Sequence, residues 1–250
     1  MTYNIKNKVI VITGGAVGIG YEIADKFLDK GAKVAVILDI NETQGAEAVE
    51  TLTVKHGPRK AIFMKCNVTT DLEEVSTTIF DTFKYVDILV NNAGILDDTS
   101  ARKTIEINVT AVIEWSLKFW EHMRKDKGGK GGTIINLASI YGYRVDQFLP
   151  VYQASKFAVM GFTRSLGHKY NFERTGVKVV AICPGFTETK LTSHPKTHKD
   201  EQMQIDFFVF LKGQAWQKAD PVGNASVEIF EKESGSAWLI EGGKPIKEVK

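Results

Sequence analysis

Cysteine is nearly absent: Cys66 and Cys183 are the only two in 250 residues, too few and too far apart for a disulfide framework or a Cys-x-x-Cys metal or redox site. Long hydrophobic runs are missing as well. The first apolar run, Val9–Ile12, is far shorter than a signal-peptide core or the roughly 20 residues that span a bilayer. Nothing directs the chain out of a reducing compartment, so a cytoplasmic protein is expected. The Asn-x-Thr triplets at Asn41, Asn67 and Asn108 lack the secretory context a glycan needs. An excess of one charge sign is also absent: 32 basic and 30 acidic side chains leave a net charge of +2, which rules out a strongly polyanion-seeking chain. No repeat of 20–50 residues and no low-complexity tract occurs. What is present, 43% hydrophobic and 25% charged residues, describes a soluble globular chain long enough for one large α/β domain.

Short β-branched runs alternate with longer amphipathic stretches. Strands are predicted at Lys8–Thr13, Lys33–Leu38, Ala61–Cys66, Ile88–Val90, Thr133–Leu137, Val177–Ile182 and Ala237–Ile240. Their near-continuous Val/Ile content suits parallel strands covered on both faces. Helices are predicted at Gly18–Lys30, Glu42–His56, Asp71–Lys84, Ala101–Arg124 and Tyr152–Phe172. This order implies an α/β Rossmann fold: one domain over 1–250, with a doubly wound parallel sheet of about seven strands and helices on both faces. The Gly/Lys-rich 125–132 stretch reads as a solvated loop. Residues 187–218, polar and then aromatic, follow a strand at the sheet's carboxyl edge, where a substrate-binding lid would sit.

The first strand runs into Thr13-Gly14-Gly15-Ala16-Val17-Gly18-Ile19-Gly20 and then a helical pattern. Glycines there permit a tight turn and let backbone N–H groups approach a pyrophosphate at the helix N-terminus. A Gly-rich turn alone would look the same. The second strand, however, ends in Asp39, about 25 residues beyond Gly14, where a carboxylate can accept from both adenosine ribose hydroxyls and repel a 2′-phosphate. Asp39 therefore points to NAD rather than NADP, although a strand-end turn residue is the plainer reading.

Tyr152 and Lys156 lie four apart in a helical pattern, so both side chains share one face. A fixed cation beside a phenol favours phenolate, which makes Tyr152 a general acid or base. The same spacing arises on ordinary amphipathic helices, so its company matters. Ser139 ends the fifth strand and Asn91-Asn92-Ala93-Gly94 follows the fourth, all at the same sheet edge as the glycine loop. With Pro184-Gly185 after the sixth strand, the chain resembles a classical short-chain dehydrogenase/reductase over nearly its whole length.

The resemblance implies that Tyr152 exchanges the hydroxyl proton, that Ser139 hydrogen-bonds the substrate oxygen, and that Lys156 holds the nicotinamide ribose and lowers the Tyr152 pKa. Asn108 matches the helix Asn that keeps a relay water. Cofactor contacts are implied for Gly14, Val17, Gly18, Ile19 and Gly20 in the loop and Asp39 after it. They are also implied for Asn67, Val68, Asn91, Ala93 and Gly94, for Tyr152 and Lys156, and for Pro184, Thr187 and Thr189. Asn67 stands where the family usually has Asp, and its amide oxygen can accept the same bond from the adenine amine.

Local strings such as Arg102–Asn108 and Ile182–Phe186 resemble most the group of hydroxyprostaglandin dehydrogenases and insect-type alcohol dehydrogenases. This implies NAD-dependent oxidation of secondary alcohols and assembly as a homodimer or homotetramer. Leu149 occupies the place of a Gln in the prostaglandin branch, so a substrate-orienting amide is missing or displaced to Gln147. An apolar pocket floor weakens recognition of a second polar group on the substrate. Ser139, Leu149, Tyr152 and Phe186 are the expected substrate contacts. Phe148, Phe207, Phe208, Phe210 and Trp216 either line a pocket for an apolar alcohol or serve as ordinary core or subunit-interface residues. His194 and His198 are spaced i, i+4 but lack a supporting carboxylate, so no metal is expected. No Gly-x-Ser-x-Gly elbow supports hydrolysis. The rival readings are a hydroxyprostaglandin dehydrogenase proper, a non-catalytic NAD- or lipid-binding member of the fold, and an NADPH-dependent reductase, which Asp39 opposes.

Overall fold

In the computed structural model, which describes residues 4–193, 195–197 and 200–250, the β-branched runs form strands and the amphipathic stretches form helices. The chain runs β1 (Val9–Thr13), α1 (Gly18–Asp29), β2 (Val34–Asp39), α2 (Glu42–His56), β3 (Ala61–Lys65), α3 (Leu72–Phe83) and β4 (Ile88–Asn91). It continues through α4 (Ala101–Ile105), α5 (Ala111–Met123), β5 (Gly132–Leu137), α6 (Pro150–Leu166), α7 (Lys169–Thr175) and β6 (Val177–Pro184). The last part holds α8 (Lys190–Ser193), α9 (Glu201–Lys212), α10 (Asp220–Ile229), β7 (Ala237–Ile240) and β8 (Lys247–Glu248).

One eight-stranded sheet results, in the order β3-β2-β1-β4-β5-β6-β7-β8. All pairs are parallel except β7 with β8. Alternate side chains of each strand serve opposite layers. Ile10 and Ile12 pack with Phe27 of α1 and Ile229 of α10, while Val11 packs with Trp115 and Phe119 of α5. The strand order reverses between β1 and β4, and the crevice at their carboxyl ends is where such sheets bind ligands.

Three features depart from the sequence expectations. The helix expected over 101–124 is continuous in direction but carries a π turn at Glu106–Thr110, and Asn108 sits inside it. The helix expected to reach 172 breaks after Leu166 and resumes as α7 at Lys169; the break places Gly167 so close to β6 and the turn before β7 that a Cβ there would lie 2.6 Å from both the Gly235 nitrogen and the Val179 oxygen. The eighth strand, two exposed residues long, is too short to carry a period of its own. No helix among the described residues is long and apolar enough to cross a membrane.

Candidate active site

The glycine loop closes tightly on the β4 end of the crevice. Gly14 has φ +62°, and a Cβ there would lie 2.9 Å from the Ala93 Cα. Gly20 does not face the cleft. It lets the first turn of α1 come down on the loop, since its Cβ would stand 2.4 Å from the Gly14 oxygen. The Asp39 carboxylate accepts from the Ala16 N–H at 3.2 Å and the Asn41 N–H at 3.1 Å, so it braces the loop as well as facing the cleft. Asn92 completes the brace: its amide donates to the Thr13 and Gly14 carbonyls at 3.1 and 2.8 Å. The Thr13 hydroxyl in turn accepts from the Asn92 and Ala93 N–H groups, both at 3.1 Å.

Two asparagines differ from expectation. The Asn91 side chain turns away from the cleft, donating to Ser116 Oγ at 2.8 Å and Asn136 Oδ1 at 2.9 Å inside the fold. The Asn67 amide oxygen, expected to receive an adenine amine, is already filled by the Thr69 N–H at 3.2 Å and the Thr69 hydroxyl at 2.9 Å. Neighbouring Val68 lines the cleft, its carbonyl fixed by the Trp115 indole N–H at 2.9 Å. Pro184, Thr187 and Thr189 reach the cleft from the end of β6. Thr187 is buried there, its hydroxyl donating to the Gly185 carbonyl at 3.0 Å and accepting from Gln217 at 3.2 Å.

Helix α6 begins with proline at its first position, which suits a residue lacking an N–H. Its buried face runs through Tyr152, Lys156, Val159 and Thr163, so the stripe that packs on the sheet also delivers the reactive pair. Ser139 follows β5 and caps a short turn by accepting from the Tyr141 N–H at 3.2 Å. It faces the Tyr152 hydroxyl. Lys156 Nζ lies 5.6 Å from the Tyr152 ring centre and donates to the Leu137 carbonyl at 2.8 Å.

Burial dominates the electrostatics. It pushes the Tyr152 phenol up to about 12, against a downward pull from the Ser139 hydrogen bond, and pushes Lys156 down to about 8. In the protein alone desolvation therefore sets the phenol, and the downward pull on it comes from Ser139. Asn108 is fully buried and its side chain is committed. It donates to the Ile95 carbonyl at 2.9 Å and Ser155 Oγ at 3.1 Å, and accepts from the Ile95 N–H at 2.9 Å.

Ser139, Tyr152 and Lys156, but not Asn108, border one cavity of about 520 Å³ that runs from Asp39 past Ser139 and Tyr152 to an apolar end. That end is walled by Leu149, Phe186, Phe207, Leu211 and Trp216, with Phe148 and Phe210 packed behind them. Phe208 instead faces outward and is 45% exposed. Gln147 is exposed as well, so the amide missing at position 149 has not moved there. Leu149 itself is fully buried. His194 and His198 lie outside the described residues. Sequence reasoning missed Asp98, whose buried carboxylate accepts from the Val151 and Tyr152 N–H groups at 2.7 and 3.0 Å. An acidic residue ahead of a helix 53 positions away carries no local signature.

A family model described as short chain dehydrogenase matches residues 8–200. The 15-hydroxyprostaglandin dehydrogenase (NAD(+)) of Homo sapiens is 38% identical over 202 residues, covering 80% of this chain and 75% of that protein. Alcohol dehydrogenase 1 of Ceratitis cosyra is 31% identical over 249 residues, covering 99% and 96%. The 3-ketoacyl-(acyl-carrier-protein) reductase of Brucella melitensis, solved with NADH, shares the fold with a TM-score of 0.79 at 24% identity, over 96% of this chain and 98% of that one. Sequence, sheet order and site geometry agree, and the chain belongs to the short-chain dehydrogenase family.

Proposed function

We propose that this protein is an NAD-dependent dehydrogenase that oxidises a secondary, apolar or lipid-like alcohol to its ketone. One observation carries the reading: Ser139, Tyr152 and Lys156 meet midway along a cleft with a glycine cradle and Asp39 at one end and an apolar chamber at the other. The residues fit a dinucleotide, because the close approach of Gly14 to Ala93 leaves no room for side chains where backbone N–H groups must meet phosphate. Asp39 suits two ribose hydroxyls and opposes a 2′-phosphate. Bound NAD supplies the hydride acceptor.

The chain's own residues then manage the proton and the pose. Ser139 orients the substrate hydroxyl and Tyr152 takes its proton. Lys156 contributes positive charge near the phenolate and a donor for the nicotinamide ribose. With its amide spent on Ile95 and Ser155, the Asn108 side chain ties the loop after β4 to α6 rather than offering its amide to a relay water. The 187–218 segment acts as the lid over the substrate end, since Phe207, Leu211 and Trp216 come from it. Leu149 favours an apolar alcohol over a prostaglandin, and the complete Ser139, Tyr152 and Lys156 set favours an enzyme over a carrier.

A homodimer or homotetramer in the cytoplasm is part of the same proposal. The outer face of α6 carries exposed Ala154, Phe157, Ala158 and Gly161, and α5 exposes Leu117; Phe157 and Leu117 are 44% and 42% exposed. Light scattering would detect the assembly, and Phe157→Asp should yield monomers. The enzymatic test is NADH absorbance with NAD or NADP and a panel from short secondary alcohols to terpenoid and steroid alcohols and hydroxylated fatty acids. NAD-dependent signal that vanishes in Tyr152→Phe, with NADH binding retained, is expected. Full turnover in Tyr152→Phe would overturn the mechanism.

A further inference from the structure

Asp98 belongs to none of the motifs that define the site, yet it touches the backbone of the catalytic tyrosine. It is 4% exposed, and its two carboxylate oxygens receive the Val151 N–H at 2.7 Å and the Tyr152 N–H at 3.0 Å. These are the first two N–H donors of α6, since Pro150 has none. The residue that ordinarily supplies the cap, Leu149, has no side-chain acceptor, so α6 takes its cap from a distant loop. Two charge-assisted bonds from one carboxylate to consecutive amides fix both the height and the rotation of the helix's first turn.

The same loop also carries the base of the lid segment. The Asp98 N–H donates to the Lys196 carbonyl at 2.9 Å, and the Lys196 N–H points back to the Leu96 carbonyl at 3.4 Å. Lys196 Nζ reaches the Asp97 carboxylate at 3.4 Å, and the Thr104 hydroxyl holds the Asp97 carbonyl at 2.6 Å. One residue thus joins the chain that closes over the substrate end to the turn that presents the phenol.

We propose that Asp98 is a positioning residue for Tyr152. Its carboxylate sets where the phenol hydroxyl stands relative to Ser139, and its main chain refers that position to the lid base at Pro195–Thr197. The inference rests on the dehydrogenase reading, in which Tyr152 handles the substrate proton. A displacement near 1 Å at the reacting groups costs about a hundredfold in rate. Loss of the carboxylate should therefore appear in kcat while the dinucleotide cradle, held by the Asn92 and Thr13 hydrogen bonds and by Asp39, keeps its shape.

The test compares wild type with Asp98→Ala, Asp98→Asn and Tyr152→Phe, well below each variant's Tm, reading kcat, KM for the alcohol and Kd for NADH by fluorescence. Asp98→Ala should lose about a hundredfold in kcat with the NADH Kd within about twofold of wild type. Asp98→Asn keeps an oxygen for one of the two N–H groups and should recover about tenfold of that loss. Asp98→Ala with wild-type kcat and only a lowered Tm would make the residue a mere structural cap and overturn the proposal. So would a loss appearing equally in NADH affinity. If Asp98→Ala does not fold, Asp98→Asn decides alone: an intermediate kcat supports the proposal and an unchanged one overturns it. Wild-type turnover in Tyr152→Phe would instead bring down the dehydrogenase reading itself, a result separable from any behaviour of the Asp98 variants.

Discussion

Gly20→Ala tests whether the glycine loop owes its shape to close approach rather than to flexibility. Gly20 lies in the first turn of α1, where alanine should be preferred to glycine by about 1 kcal/mol on helix propensity alone. Against this, the new Cβ would stand 2.4 Å from the Gly14 oxygen, 2.6 Å from Asn92 Nδ2 and 3.0 Å from the Gly15 Cα. Reaching an ordinary contact of 3.4 Å requires a retreat of about 1 Å by backbone that Asn92 holds in place. Overpacking of that kind costs about 1–3 kcal/mol, so the propensity gain is offset or exceeded and the net effect is a loss of up to about 2 kcal/mol. At about 2–4 °C per kcal/mol for a chain of this size, Tm should fall by several degrees. The larger effect is on binding. Shifting the loop weakens its N–H bonds to an anionic ligand, worth about 1.5–3 kcal/mol each, so NADH Kd should rise about ten- to hundredfold. Fluorescence titration beside a thermal melt reads both quantities. An unchanged Kd with an unchanged Tm would refute the close-approach argument.

Asp39→Ala should reduce the preference for NAD over NADP in kcat/KM by about tenfold or more, because the charge opposing a 2′-phosphate is gone. It should also weaken NADH binding, since the Ala16 N–H loses its acceptor; an unchanged preference would remove Asp39 from its role. Lys178, fully buried in β6, donates to the Phe230 carbonyl and is pushed down to about 7 by burial. An unfolded lysine titrates near 10.4, so between about pH 7 and pH 10 the unfolded state binds more protons and stability should rise with pH. Lys156, pushed down to about 8, adds to that slope. Between about pH 7 and pH 8, below the range where unfolded thiols and phenols ionise, Tm should climb in wild type and less steeply in Lys178→Met; equal slopes would refute the assignment. Leu149→Gln should lower Tm, because an unpaired buried amide costs about 1–3 kcal/mol. It should also raise kcat/KM about tenfold for substrates carrying a second hydroxyl near the reacting carbon, at the expense of apolar ones.

The glycine loop, Asp39 and Ser139 were legible because each sits at the end of a strand, where backbone geometry dictates residue type, and the Tyr152–Lys156 pair because four-residue spacing puts both on one face of α6. The doubly wound sheet was legible for a related reason: strands covered on both faces must be apolar throughout. Contacts between distant segments left no such mark. The Asp98 cap, the Asn92 brace and the commitment of Asn67 to Thr69 depend on which loops meet, and no period encodes that. Spacing placed a cation beside the Tyr152 phenol correctly, but the pKa followed from burial, which spacing does not report. Gln147 and Phe208 show the same limit, since neighbours in sequence can face opposite sides of a wall.

The turned-away Asn91 side chain has a consequence for how the sheet assembles. Asn91 of β4 and Asn136 of β5 stand directly opposite one another, bonded to each other, and Asn136 reaches Thr163 of α6 at 2.9 Å while Asn91 reaches Ser116 of α5. All four are buried. Slipping β4 by one residue against β5 would swing Asn91 to the other face, away from Ser116 and Asn136, and leave its buried amide without those partners, at about 1–3 kcal/mol for each orphaned group. Apolar strands alone, rich in interchangeable Val and Ile, would tolerate such a slip far more cheaply. The buried quartet thus acts as a proofreading mark for strand pairing, admitting the one alignment in which the Asn92–Gly94 turn emerges beside the residues leading to Ser139 along the rim of the sheet.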